Sequence, residues 1–220
     1  MADERITSSK RVLEPNERIS EVLFGLIMVL TSTGSISVAE ADQAEVHIML
    51  IGALGCNVAW GIIDAVFYLM RSLAEKRRGL MIFRAVRTAT DPQQAQRLIA
   101  DALPSVVASV LQPAELEAMR QRLQQLPQPP ERPSLRKDDW LGAVGVFLLV
   151  FLSTFPVVIP FIFIQQAGVA LRVSHAVATL MLFLAGYAYG KYVGHRPWLT
   201  GISMLVLGSL LVGLTMALGG

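Results

Sequence analysis

Five stretches of the chain are apolar for long enough to cross a bilayer: Ile19 to Val38, Val46 to Met70, Trp140 to Ile164, Val169 to Tyr192 and Leu199 to Leu218. At the rise of an α-helix each reaches about 30 Å, the thickness of a hydrocarbon core. Backbone polar groups in lipid must be satisfied within the segment, and no alternating pattern of barrel strands is present, so the runs predict transmembrane helices. The segment Arg71 to Asp139 is too polar to insert. There Asp91-Pro92, Leu103-Pro104 and Gln112-Pro113 each put proline where a helix begins, predicting three short helices after an extension of the second span. Leu116, Met119, Leu123 and Leu126 form an apolar stripe at helical spacing. Pro127 to Pro133 (PQPPERP) predicts a stiff non-helical linker, and Asp138-Asp139 a cap on the third span beside the interfacial Trp140.

The expected fold is therefore an all-α membrane protein with five transmembrane helices and a small helical insert between spans two and three. It divides into a polar N-terminal segment (1–18), spans one and two (19–70), the module with its linker (71–139) and spans three to five (140–220). Charge orients it. Arg5, Lys10, Arg11 and Arg18 precede span one, twelve Lys and Arg lie between Arg71 and Lys137, and Lys191 and Arg196 flank the last turn; only Arg172 falls on the other side. This positive-inside bias puts the N-terminus and the insert in the cytosol and the C-terminal Gly219-Gly220 outside. The loop Ala39 to Glu45 then faces outward with Glu40, Asp42 and Glu45, an acidity that reads either as ordinary solvated loop charge or as an attractor of cations.

Composition agrees: 16% of residues are charged, against about 25% in soluble domains. Met1 to Arg18 contains no apolar core before a small-residue cleavage site, so a secretory signal is not expected. The single Cys56 excludes an intrachain disulfide and a Cys-rich metal site, and reads as a small packing residue. No basic patch is interleaved with aromatics, so nucleic acid is not an expected partner. The motifs of serine hydrolases, phosphate-loop enzymes and zinc proteases are absent, and an enzyme is not expected.

Chemistry is expected where polar groups enter the apolar runs, since a buried charge there costs about 2.5–3.5 kcal/mol on insertion scales. Asn57, Gly61, Asp64 and Tyr68 share one face of span two at i, i+4, i+7 and i+11. The stripe reads either as an oxygen-rich cation or proton path or as an interhelical hydrogen-bond seam. Glu21 sits about one turn into span one with Glu17 on the same face, so two spans bring carboxylates to the cytosolic half. They would form either a divalent-cation entrance or interfacial pairs with Arg18 or Lys191. Pro156 and Pro160 in span three disturb the helix ladder and free carbonyls, marking a substrate path or an ordinary kink. Glu115 is a further candidate within the insert, and His175 reads as an interfacial packing histidine. Gly186, Gly190, Gly201 and Gly208 predict close helix packing within the bundle or across a dimer.

The helix order, the insert after span two, and the runs FPVVIPFIF and LFLAGYAYGKYVGHRPWLTGISMLVLGSLLVG resemble the vacuolar iron transporter (VIT) family, most specifically from Ser153 to Gly213. The resemblance implies a homodimer in the bilayer that moves ferrous iron or manganese out of the cytosol in exchange for protons. Fe2+ or Mn2+ would be cargo, with no permanently bound cofactor. Three positions depart from the family pattern. Phe24-Gly25 stands where the family has Asp-Gly, leaving Glu21 as the nearby acid. The family's metal-lining methionine falls near Ile63 or Asp64, so that Asp64 would put a hard oxygen in place of a soft sulfur. The insert offers Glu75, Glu115 and Glu117 among many Arg and Gln residues instead of a glutamate-rich metal collector. Glu21, Asn57 and Asp64 are the main ion-path candidates, with Glu17, Tyr68, Pro156, Pro160 and Glu115 secondary. The alternative from another class is a non-transporting membrane protein whose cytosolic module binds a protein partner or anionic lipid.

Overall fold

The computed structural model describes residue 13 and residues 15–34 and 43–217. The outward acidic loop expected around Glu40 and Asp42 lies outside the described residues, as do the extreme termini. The regular elements are helices: α1 (Pro15–Gly34), α2 (Gln43–Thr88), α3 (Pro92–Ala102), α4 (Ser105–Val110), α5 (Pro113–Gln125), α6 (Lys137–Ser153), α7 (Phe155–Phe163), α8 (Ala167–Val193) and α9 (Pro197–Ala217). Among the described residues, three stretches are long and apolar enough to cross a membrane: Leu50–Thr88, Lys137–Phe163 and Ala167–Val193. Pro197–Leu211 of α9 is apolar over a shorter length. The chain forms two compact units, one of residues up to Tyr68 together with Asp138 onward, the other of Leu69–Lys137.

In the first unit, Leu23, Leu26, Val29 and Leu30 of α1 meet Val157 of α7 and Ala178 and Leu182 of α8 in an apolar core. Their spacing on α1 puts them on one helical face, so burying it fixes the rotation of α1. Helices α8 and α9 approach through glycines contributed by both partners. A Cβ at Gly190 would meet Pro197 Cα at 2.9 Å, one at Gly186 the Thr200 carbonyl at 3.0 Å, and one at Gly201 the Phe183 carbonyl at 3.1 Å. These glycines are therefore used within the chain. The connection is short because Gly194 adopts the left-handed conformation (φ 74°) that ends α8, and Pro197 opens α9 at a position needing no N–H donor. Outward faces carry Ile62, Phe67, Leu141, Leu148 and Leu210, the surface a lipid solvent accepts. Cys56 is exposed with them, so it is not the packing residue its apolar surroundings suggested.

The second unit is built on the last turns of α2. Val86, Ala95 and Ile99 form its buried centre, with Leu116 and Leu123 of α5 packed against it. The expected stripe on α5 is only half used, since Met119 is 37% and Leu126 50% exposed. A helix laid over so small a core buries a narrow face, and positions at the stripe's edge stay wet. Asp91 caps α3 by accepting the Gln93 N–H at 3.0 Å, with Pro92 next in line. Beyond Gln125 the proline-rich segment runs back along α2 without helix. Arg87 Nη1 donates to the Leu126 carbonyl (3.1 Å), Arg84 Nη2 to those of Pro130 and Glu131 (2.8 Å each), and Lys76 Nζ to that of Ser134 (3.4 Å). Helix α6 begins at Lys137, so Asp138 and Asp139 lie in its first turn instead of capping it, where they favour the positive end of the helix dipole.

Candidate functional site

The third apolar run is not one helix. Proline at 156 cannot donate to the carbonyl four residues back, and α6 ends at Ser153 with Thr154 in a turn before α7. Pro160, by contrast, is carried inside α7 without a second break. The last-turn carbonyls of α6 lose their helical donors at the break, and side chains replace them. Ser153 Oγ donates to the Val150 carbonyl (2.7 Å) and Thr154 Oγ1 to that of Phe151 (2.8 Å). Asn57 reaches the same place from α2, its Nδ2 donating to Thr154 Oγ1 (2.9 Å) and to the Val150 and Phe151 carbonyls (3.3 Å each). It is 1% exposed.

Helix α1 enters this junction through Gly25. A Cβ there would overlap Ser153 Oγ and lie 2.9 Å from the Val150 carbonyl oxygen, so only glycine lets α1 approach the end of α6 so closely. Its neighbour Phe24 turns its ring edge to Trp60 of α2 at 5.6 Å. Three helices thus converge on a polar knot of an amide, two hydroxyls and two carbonyls inside the apolar bundle.

The rest of the α2 stripe also faces α6. A Cβ at Gly61 would sit 2.9 Å from the Phe147 ring, and the Tyr68 phenol occupies the space left at Gly142. For Asn57, Gly61 and Tyr68 this is the contact pattern of a packing seam. Two oxygens on the stripe are not absorbed by it. Asn57 Oδ1 and Asp64 Oδ2 are buried and have no hydrogen-bond partner among the described residues. Seven residues of helix separate them by about 10.5 Å along the axis, too far for one coordination sphere but suited to successive positions.

Glu17 and Glu21 are half-buried on α1, and neither is without a partner. Among the described residues no three His, Cys, Asp or Glu side chains gather as a metal site. In the second unit, Glu115 is committed to a capping box, its Oε2 accepting the Gln112 N–H at 2.8 Å. Glu117 accepts from Arg120, Gln96 and Gln121, and these bonds, Arg120's first, hold its carboxyl down at about 2.

His175 lines a cavity of about 180 Å³ with Leu30, Thr179 and Ser209, inside the bundle where α1, α8 and α9 meet. Sequence reasoning did not single out Ser153, Thr154 or Ser174, whose Oγ donates to the Val157 carbonyl at 2.7 Å across α8 and α7. The available signal was the Ser-Thr pair directly ahead of Pro156, hydroxyls next to the ladder the proline breaks.

A family model described as the VIT family matches residues 83–220, more than half of the chain and all of α6 to α9. No curated protein matches the chain.

Proposed function

Because the chain belongs to the VIT family, whose members are membrane metal-ion transporters, we propose that it carries a divalent cation, ferrous iron or manganese, out of the cytosol in exchange for protons. The observation that carries the site assignment is the pair of buried acceptor oxygens without donors, Asn57 Oδ1 and Asp64 Oδ2, on the α2 face turned to α6. Hard divalent ions take several oxygen ligands. An amide oxygen, a carboxylate and the carbonyls at a helix break are the donors from which transporters assemble such positions near the middle of the membrane. Glu21 and Glu17 of α1 serve this path as its cytosolic approach. In this reading α1 and α9 span the membrane with the three longer stretches, making five. The N-terminus and the unit of α3 to α5 lie in the cytosol, the C-terminus lies outside, and two copies assemble as a dimer.

The test is flux into proteoliposomes. The purified chain should move Fe2+ or Mn2+ down a gradient, and a pH-sensitive dye should record counterflow of protons. Asp64→Asn keeps the shape and removes the charge, and should abolish flux with expression and helicity unchanged. Undiminished flux would remove Asp64 from the path. Absence of flux with every divalent ion would remove the transport reading.

A further inference from the structure

We propose that the groove between the end of α2 and the returning proline-rich segment binds a phosphate group, as a phosphomonoester or polyphosphate. The proposal concerns the second unit alone and does not rest on the transport reading. The groove encloses about 670 Å³ and is lined by Arg84, Arg87, Thr88, Gln128, Glu131 and Arg132. Three guanidinium groups face one carboxylate, an excess of positive charge that repels a divalent metal and attracts an anion. The unit as a whole carries the same bias, with twelve Lys and Arg in residues 69–137 against six Asp and Glu.

Charge excess alone would describe any basic surface; the geometry here goes further. Arg84 is pinned by the carbonyls of Pro130 and Glu131 at 2.8 Å, and Arg87 by that of Leu126 at 3.1 Å. Arg87 also lies over the Phe83 ring at 5.6 Å. Those partners are neutral, so they fix both side chains without discharging them. A guanidinium has five N–H donors. The contacts use both hydrogens of Arg84 Nη2 and one of Arg87 Nη1, leaving Nε and the other terminal nitrogen of each side chain to bind an anion. Pre-set forks lose little rotamer entropy on binding, and their planar pairs of donors match the oxygens of a phosphate. Arg132, on the segment opposite, has no ion-pair or hydrogen-bond partner among the described residues and supplies the third cation. The Thr88 hydroxyl is turned back to the Arg84 carbonyl at 3.0 Å and is not needed. The volume exceeds that of one phosphate, leaving room for the group that bears it.

The experiment uses the full chain in phosphatidylcholine nanodiscs, titrated calorimetrically with inorganic tripolyphosphate. Saturable binding is expected. Arg132→Gln, which removes a cation that holds nothing else in place, should weaken binding about tenfold, the scale of one charge-assisted contact. Arg97→Gln removes the same charge from the exposed face of α3, outside the groove, and should leave affinity within about twofold. Repeating the titration in nanodiscs doped with phosphatidylinositol 4-phosphate separates the sources. A headgroup ligand already occupies the groove and suppresses the heat, whereas a site for a soluble phosphate responds unchanged. No saturable heat in phosphatidylcholine discs overturns the proposal, and so does equal weakening by the two variants, which would reduce the effect to general charge.

Discussion

Replacing Asn57 by leucine separates the two ends of one amide. Its nitrogen makes one bond of good length, 2.9 Å to Thr154, and two at 3.3 Å to the Val150 and Phe151 carbonyls. Interhelical side-chain bonds in bilayers average about 0.6 kcal/mol and reach about 1.7 kcal/mol. Neither carbonyl is stranded by the change, because Ser153 and Thr154 still donate to them. The substitution also removes Oδ1, a buried acceptor without a donor, and so returns part of a desolvation penalty. Leucine branches at the same carbon with the same number of heavy atoms but is the bulkier side chain, so no cavity opens and some overpacking against α6 adds to the loss. The expected net loss is about 1–3 kcal/mol, one or two such bonds together with the crowding. It would be read as a small shift in the midpoint of reversible unfolding in mixed detergent and dodecyl sulfate micelles, followed by helicity, with the slope unchanged. Cation flux in the same preparation should fall to background, because the lost oxygen belongs to the proposed path. A destabilisation above about 5 kcal/mol, beyond what lost bonds and crowding account for, would show that Oδ1 is engaged in holding the bundle together. Full flux with a small destabilisation would leave Asn57 a packing residue only.

Two further outcomes follow from the junction and the second unit. Gly25→Ala should cost about 1–3 kcal/mol by overpacking against Ser153 and Val150. Adding Ser153→Ala should recover part of that loss in the same unfolding assay, since it clears the hydroxyl but not the carbonyl; strictly additive losses would contradict the geometry. Glu117 titrates at about 2 in the folded chain, below its ordinary 4.5, so the stability it contributes is complete above 4.5 and disappears as the pH falls through that window. Amide protection in α3 and α5, measured relative to the intrinsic exchange rate at each pH, should fall there and nowhere nearer neutrality on account of this group, and Glu117→Gln should flatten that dependence.

The apolar runs were legible because a bilayer imposes a length, and the helix starts of the second unit because a capping Asp or a first-turn proline acts within one turn. The face shared by Asn57, Gly61 and Tyr68 was legible for the same reason: helical spacing is local. What that face meets was not. Phe147, Gly142 and the end of α6 lie 74 to 97 residues away in sequence from the positions they meet, and no local rule selects them over another helix. Pro156 announced a disturbance, but which residues would mend it depended on where a hydroxyl and an amide happened to reach the freed carbonyls. The placement of the cap before α6 slipped because Asp138 and Asp139 suit a first turn as well as a cap. The α8 and α9 glycines announced close packing, and only the fold decided that they pack on each other.

The path of the proline-rich segment bears on how the junction is held at all. Asn57 and Thr154 are separated by 97 positions, a long loop to close by hydrogen bonds worth so little. The folded second unit shortens that loop. By laying residues 126–134 back along α2 through Arg87, Arg84 and Lys76, it returns the chain near the level at which α2 entered the unit. Part of the entropy of bringing distant segments together is thus met by a folded spacer. With the middle of that loop folded on itself, the polar knot between α2 and α6 has less chain entropy to offset than the count of residues between its ends implies.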